Sequence, residues 1–497
     1  MSDKVQVELA PLGASLVMER GGPMAPILAE QGIEFPCGGA ELCGGCRVRV
    51  LKGALPPSEE DRLALTNAEI DAGWRLACRA RACEDVILEV EQWSAAILAD
   101  STPLSSSARR GIGVAVDLGT TTLAVQALDL STGCILALRT ALNPQCVAGA
   151  DVMSRIRIAL DDGLLTPLIR DRLGSMVREA AGVRAQEVRD VVLVGNTVMH
   201  HLFCGIDVAP LSHVPFESPA LAAREFTAAK LGWGLPAACH IRFLPCIGGF
   251  VGSDILAGIA ATGIADRDEL TALIDLGTNG EIAIGNRQRI FCASTAAGPA
   301  FEAGSIRMGM RAATGAISSV RVRDGRFNCS VIGDAAPRGI CGSGLVDAVA
   351  AGLDLELILP SGRTANNAAE IPLAGPVSLC RADIRELQLA KAAVAAGFRI
   401  LLKRLGAGFP DVHQVYLAGA FGNYVRVETA ERIGLLEVPS AVVTSAGNTA
   451  LRGAKIALVR PLTPGGTPIE HVPLAADADF QDTFVDCMAM PAYSINA

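Results

Sequence analysis

Aromatic residues make up only 4% of the 497-residue chain. A surface that stacks nucleobases needs several of them side by side, so a single-strand binding platform is excluded. Basic excess is also missing. The formal net charge is −9, and no long run of one sign occurs. Such a chain is a poor ligand for phosphate backbones, and no nucleic-acid partner is expected. No stretch reaches the ~18 uninterrupted apolar residues of a membrane span, so no membrane partner is expected either. The opening MSDKVQVELA lacks the charged start and apolar core of a secretory signal. Cytoplasmic residence is the expectation. That compartment keeps thiols reduced, so the fifteen cysteines read as free thiols or metal ligands.

What is present divides unevenly. Half of the residues are apolar, enough for two or three cores. Residues 1–93 read as a small β-rich unit. Val5–Leu9, Arg47–Leu51 and Val86–Glu91 alternate as strands, Met24–Gln31 has the pattern of a short helix, and Ser58 caps helical spacing through Ile70. Residues 94–110, SAAILADSTPLSSSARR, are Ser-rich and read as a linker. From 111 onward strands and helices alternate, an α/β texture.

The densest chemistry is CGGAELCGGC, from Cys37 to Cys46. Cys37, Cys43 and Cys46 are spaced C-x5-C-x2-C, and Cys78 follows in RLACRARAC. Plant-type ferredoxins hold [2Fe–2S] with C-x4-C-x2-C and a distant fourth Cys. The spacing here is one residue longer and resembles the adrenodoxin-type variant. Gly38, Gly39, Gly44 and Gly45 permit the positive-φ turns that point backbone N–H groups at cluster sulfur. Arg47 and Arg79 flank ligands and add positive potential. A zinc site, which prefers paired C-x2-C knuckles, and metal-free reactive thiols are the alternatives. Cys83 is the rival for fourth ligand. The order of strands, helix and cysteines resembles a β-grasp ferredoxin over residues 1–93.

A second signal is duplicated. VAVDLGTTTLAV starts at Val114 and ALIDLGTNGEIAI at Ala272. Each is a strand, a tight turn and a second strand. Backbone N–H groups and threonine hydroxyls at such a turn can hold phosphate, and an aspartate at the strand end can hold Mg²⁺ through water. Near the C-terminus, VYLAGAFGNYV (Val415–Val425) runs a strand into a glycine turn. GICGSGLVDAV (Gly339–Val349) reads as a small-residue helix start that lets two helices approach at an interlobe hinge. In this order the motifs resemble the actin-like ATPases, the superfamily of acetate and sugar kinases, Hsp70 and actin. The resemblance implies a two-lobed ATPase with lobes at 111–270 and 271–497. Gly119, Thr120, Thr121 and Thr122, together with Gly277, Thr278, Asn279 and Gly280, would hold phosphates. Gly419, Ala420, Gly422 and Asn423 would hold adenosine. Asp117 and Asp275 would position Mg²⁺ and the attacking water, with Asp254 and Glu281 as further candidates for water activation.

A [2Fe–2S] ferredoxin fused to an actin-like ATPase resembles the reductive activators of corrinoid proteins. NPQCVAGADVMSRI, VLVGNTVMHHLFCG, CIGGFVGSDILAGI and STAAGPAFEAGSI match that family's signatures. The resemblance implies ATP-dependent transfer of one electron from the cluster to inactive Co(II), restoring Co(I) for methyl transfer. It implies a corrinoid protein of a methyltransferase system and an electron-donating reductase as partners, and it allows a homodimer. Two departures stand out. The linker is short, and the C-terminal region carries Cys487 alone where some relatives hold [4Fe–4S] clusters. A small-molecule kinase and an ATP-dependent redox sensor with a regulatory cluster are the competing readings. Met199–His201 (MHH) is expected in the first turns of a helix, with its histidines facing different ways.

Overall fold

The computed structural model describes residues 4–10, 14–30, 46–90, 100–104, 109–149, 151–462 and 466–492. Cys37 and Cys43 lie outside them. The N-terminal strands are β1 (Lys4–Ala10), β2 (Ala14–Glu19), β3 (Arg47–Lys52), β4 (Trp74–Leu76) and β5 (Val86–Val90). They form one sheet in the order β2-β1-β5-β3-β4, with β1 and β5 parallel at its centre. Val5, Val7 and Leu9 are buried while Lys4, Gln6 and Glu8 face outward, the period-two pattern of a half-buried strand. This is the β-grasp ferredoxin arrangement, with helix Ala25–Glu30 between β2 and β3.

The helical spacing after Ser58 resolves into two short helices, Glu59–Ala64 and Asn67–Asp71. Ser58 and Asp61 form the first capping box. Thr66 and Glu69 form a second one, and starting a new N-terminus at Thr66 forces Leu65 into extended backbone. Periodicity alone does not show that break, because Thr66 falls on the exposed face.

The remainder contains two sheets of matching topology. Strands β6 (Ile112–Leu118), β7 (Thr122–Asp129), β8 (Ile135–Leu142), β9 (Val188–Val194), β10 (Arg224–Thr227) and β11 (His240–Phe243) are arranged β10-β11-β9-β6-β7-β8. The second half begins with β12 (Leu270–Leu276), β13 (Gly280–Gly285) and β14 (Ile290–Thr295). An inserted sheet follows, made of β15 (Ala316–Arg323), β16 (Arg326–Val331) and β17 (Gly339–Ile340). The hairpin β18 (Glu370–Ala374) and β19 (Val377–Cys380) comes next, then β20 (Val412–Ala418), β21 (Val443–Gly447) and β22 (Ile469–His471). The second large sheet runs β21-β20-β12-β13-β14-β22. In each lobe an antiparallel hairpin (β6–β7, β12–β13) pairs in parallel with a later strand (β9, β20). This is the duplicated actin-like fold.

The lobes meet through helices Ser253–Thr262 and Thr449–Val459, which pack closely. A Cβ on Gly453 would sit 2.2 Å from the Ala257 carbonyl oxygen. The small-residue helix crossing therefore lies here. The glycines of GICGSG serve another contact, which corrects the expectation of a hinge there. A Cβ on Gly342 would fall 1.7 Å from the Phe301 oxygen, and one on Gly344 2.1 Å from the Ile317 oxygen. They seat helix Gly342–Asp354 on backbone within the second lobe.

The ferredoxin unit touches both lobes. Its core includes Cys146, and Val147 packs against it; both belong to the turn Pro144–Ala148 of the first lobe. From the second lobe, Arg338 reaches Glu89 at 2.9 Å. The described part of the linker is anchored by Asp100, which is 4% exposed. Its carboxylate lies 2.5 Å from Lys455 Nζ and 3.2 Å from Arg452 Nε, and its carbonyl accepts from Gln126 and Lys455.

Removing one member of a buried pair leaves the other charge without compensation, at a cost of about 3–5 kcal/mol. Asp100→Ala is therefore expected to lower the unfolding free energy by about that much, read from urea unfolding at pH 7. Lys455→Met together with Asp100→Ala should recover part of the loss.

Candidate functional site

The two Asp-Leu-Gly-Thr turns face each other. At the β6–β7 turn, Gly119 N–H donates to Thr122 O at 3.0 Å, and a Cβ on Gly119 would lie 2.6 Å from that oxygen. Only glycine closes the turn so tightly. At the β12–β13 turn, Gly277 N–H donates to Asn279 O at 3.0 Å. Thr121 Oγ1 sits 3.0 Å from Thr278 Oγ1, so the two turns meet hydroxyl to hydroxyl. Both hydroxyls also donate to Glu302, at 3.4 Å from Thr121 and 3.3 Å from Thr278. The Thr120 hydroxyl accepts from Asn196 Nδ2 at 2.8 Å. Thr122 and Gly280 begin the second strand of each hairpin.

Four carboxyl groups gather beneath these turns. Asp117 ends β6, Asp275 lies in β12, Glu281 stands directly opposite it in β13, and Asp254 is in the first turn of helix Ser253–Thr262. Burial holds all four above the ordinary carboxylate range. Asp117 rises to about 6, with Asn448 Nδ2, 2.8 Å from its Oδ2, opposing the rise. Asp275 rises to about 7, from burial and then the Asp117 charge. Asp254 reaches about 8, from burial and then Asp275. Glu281 is pushed well up by burial, Asp254 and Asp275, with hydrogen bonds from Asn279 and Ser294 opposing. Like charges this close disfavour joint ionisation. A hard divalent cation with oxygen ligands relieves that repulsion, so the donor set fits Mg²⁺.

The glycine turn after β20 reaches the same place at one point. Gly419 has φ +80°, and a Cβ there would stand 2.4 Å from Asp275 Oδ1. Gly422 packs on Leu417, Ala420 is exposed, and Asn423 Oδ1 accepts from Ser445 Oγ at 2.8 Å. Phe421 turns inward and stacks on Phe301, centroids 4.7 Å apart.

In the ferredoxin unit, Cys46 is buried at the start of β3 and its sulfur is hydrogen-bonded by the Cys78 thiol, which holds Cys46 down to about 7. Two thiols meeting in this way, one of them poised to ionise, fit half of a cluster cradle. Cys83 is exposed beside Gly21 at the end of β2, across the sheet order from β3. Arg47 faces Glu69 at 2.7 Å.

Several residues at the cleft went unmarked by sequence reasoning: Glu302, Asn196, Asn143 and Asn448. Glu302 carried one available signal, a lone acid inside the small-residue run STAAGPAFEAGSI. The three asparagines each cap a helix: Asn143 at Pro144–Ala148, Asn196 at Thr197–Cys204 and Asn448 at Thr449–Val459. His200 and His201 lie in helix Thr197–Cys204, both buried. Their rings touch in a T-shaped contact, centroids 5.4 Å apart, where divergent directions were expected. His201 bonds Thr197 O and Ser218 Oγ, each at 2.8 Å, and His200 packs on Phe243.

Comparison with known proteins agrees with this architecture. Residues 9–83 match the 2Fe-2S iron-sulfur cluster binding domain. Residues 112–267 match the RACo middle region, and 269–497 match the C-terminal domain of RACo, the ASKHA domain. Corrinoid activation enzyme RamQ of Eubacterium limosum is 33% identical over 425 residues, covering 78% of this chain and 71% of that one. The chain belongs to the corrinoid activation enzymes. Within this family of activators, the [Co(II) methylated amine-specific corrinoid protein] reductase of Methanosarcina barkeri is 27% identical and covers 69% of each chain. A solved structure of a reductive activator for corrinoid, iron-sulfur protein superimposes with a TM-score of 0.66 at 26% identity, covering 98% of both chains.

The raised carboxyls give this activator a pH signature. The unfolded chain releases these protons near pH 4, whereas the fold keeps them to about pH 6–8. The folded state therefore binds more protons across that window, and stability falls as pH rises through it. Without nucleotide or Mg²⁺, the melting temperature should decline from pH 5 to 8. Added Mg²⁺ should restore it, more strongly at pH 8 than at pH 6, as calorimetry would show.

Proposed function

We propose that the protein carries a [2Fe–2S] cluster on Cys37, Cys43, Cys46 and Cys78. It passes one electron at a time to the Co(II) of a partner corrinoid protein and uses ATP held between its lobes to do so. The observation that carries this reading is the joining of two sites in one activator chain. A thiol pair fit for a cluster lies in a unit packed against the lobes, and those lobes close two phosphate turns over a carboxylate cluster. Family membership favours corrinoid reduction over the small-molecule kinase and the redox sensor.

The cluster supplies one-electron chemistry, at a potential near −400 mV for the plant type. Each ~59 mV of uphill transfer lowers the equilibrium tenfold, so delivery to a Co(II) centre of lower potential needs a second input. The chain's residues provide for it. Asp117 and Asp275 would hold Mg²⁺, and the turn N–H groups with Thr120–Thr122 and Thr278–Gly280 would hold phosphates. Gly419 leaves open the space beside Asp275 that any side chain would fill. Burial raises the carboxyls of Glu281, Asp254 and Glu302 above the ordinary range, the direction in which a water-activating group is tuned. A reductase must refill the cluster after each transfer.

The test follows cobalt absorbance under anaerobic conditions, with a Co(II) corrinoid protein, a low-potential donor, and ATP present or absent. Co(I) is expected only with ATP and an intact cluster. Asp275→Asn should lower ATP-dependent Co(I) formation at least about a hundredfold and leave the visible cluster spectrum unchanged. Cys78→Ser should abolish that spectrum and keep ATP binding, whereas Cys83→Ser should keep both. Co(I) at the full rate without ATP would overturn the reading.

A further inference from the structure

The turn Pro144–Ala148 lies between the first phosphate turn and the ferredoxin core, with its start tied to the cleft and its end held by Arg155. At its start, Asn143 Nδ2 donates to Gly119 O of the first phosphate turn at 2.9 Å, and Asn143 N–H donates to Thr121 O at 2.9 Å. At its end, Gly149 O accepts from Arg155 Nε at 3.0 Å. Its middle belongs to the other site. Cys146 is buried within the ferredoxin core, Val147 packs on that core, and the turn lies against helix Ala25–Glu30. That helix leads straight into the segment that carries Cys37.

Arg155 is the unusual member. It is 0% exposed, and its Nη2 has no hydrogen-bond partner. Its Nη1 points at Met199 Sδ, 3.7 Å away, the same sulfur that Asn143 approaches at 3.5 Å. Burial draws its charge down, and the nearby Cys146, then Asp151 and Glu302, oppose that. Glu302 is the carboxyl that receives both threonine hydroxyls of the phosphate turns. An unsatisfied buried guanidinium N–H is costly, and the arrangement is kept where a second state satisfies it. Seating phosphate between Thr121 and Thr278 must part hydroxyls now 3.0 Å apart and so disturb Glu302. The same parting moves Thr121, whose carbonyl oxygen accepts from Asn143 N–H, and so pulls on the turn that Arg155 pins at Gly149 O.

We propose that the Asn143–Gly149 turn couples occupancy of the phosphate turns to the position of the ferredoxin unit, with Arg155 as the positioning residue that fixes the turn's far end through Gly149 O and meets Asn143 at Met199 Sδ. The inference rests on the ATP and cluster sites of the reading above, but not on the identity of the electron acceptor. A packed turn pinned at both ends moves as a unit, so a small displacement at the cleft reaches helix Ala25–Glu30 of the ferredoxin unit.

The experiment is hydrogen–deuterium exchange on the full, cluster-loaded chain, with and without a saturating Mg²⁺ complex of a non-hydrolysable ATP analogue. In the wild type, amide exchange at residues 25–30 and 144–148 is expected to change by about threefold or more, alongside protection of the phosphate turns. Arg155→Gln should keep its cluster spectrum, protect the phosphate turns, and lose the response at 25–30. Arg155→Lys should restore part of it. Val147→Asp, which leaves the cleft untouched, should also remove the response at 25–30, and it serves the test where Arg155→Gln does not fold. Protection of the wild-type phosphate turns with no change at 25–30 overturns the proposal. So does a folded Arg155→Gln with the full response. Co(I) formation by the wild type is followed in parallel. Coupling without Co(I) refutes the corrinoid reading alone, and Co(I) without coupling refutes this proposal alone.

Discussion

Four carboxyl groups gathered in one cleft disfavour joint ionisation in the absence of a cation, and the cleft is organised around that constraint. Asp275 and Glu281 face each other across the β12–β13 pair, where like charges directly opposite are destabilising. Asp117 and Asp254 come from the other lobe, so relief of the repulsion by Mg²⁺ would also bind the lobes together. Burial and, for three of them, neighbouring carboxylates raise all four groups, so a cation or protons would relieve the same repulsion. The threonine contact between the two turns closes the cleft from the phosphate side. A nucleotide and metal held there would act on the seam between the lobes, where a small input has the largest effect on their relation.

Electron delivery imposes a second demand. A cluster potential is set by cluster type, hydrogen bonds and exposure, and a nucleotide bound in another domain can alter these only through contacts. The ferredoxin unit makes such contacts with both lobes, through Cys146 and Val147 on one side and the Glu89–Arg338 pair on the other. A unit spanning a moving seam has to shift when the seam shifts. An exposed ion pair is worth little on its own, so the apolar contact carries more of that load than Glu89.

What was legible in the sequence is what lies within a dozen residues. C-x5-C-x2-C and the two Asp-Leu-Gly-Thr turns could be read because each is a short contiguous motif, and the structure shows both turns as hairpins. The alternation in β1 and the cap at Ser58 were readable for the same reason. Pairs closed by the tertiary fold were not. Asn448 meets Asp117 across 331 positions, Thr121 meets Glu302 across 181, and Asp100 meets Lys455 across the whole actin-like region. Nothing near Asn448 marks it as more than a helix cap, since capping by its Oδ1 leaves Nδ2 free to serve Asp117. The helix crossing at Gly453 was missed likewise. A glycine pattern tells that something approaches, but not which element does; GICGSG drew attention to backbone contacts inside one lobe.

Helix Thr449–Val459 shows how these long-range pairs work together. Its N-cap, Asn448, donates to the Asp117 carboxylate. One face, at Gly453, lies against Ala257 of the helix that begins with Asp254. Arg452 and Lys455 grip Asp100, the buried residue of the segment leading from the ferredoxin unit. One rigid rod of eleven residues thus touches a carboxylate of the cleft, the crossing between the lobes and the tether of the redox unit. A helix transmits displacement along its axis with little loss, because its hydrogen-bonded backbone is stiffer than the loops at its ends. The buried salt bridge at Asp100 makes sense in these terms. An apolar contact would stabilise the tether as well or better, but a charge pair bound by four distinct hydrogen bonds and ion contacts fixes one register. A tether that must relay position needs a fixed register more than it needs added stability.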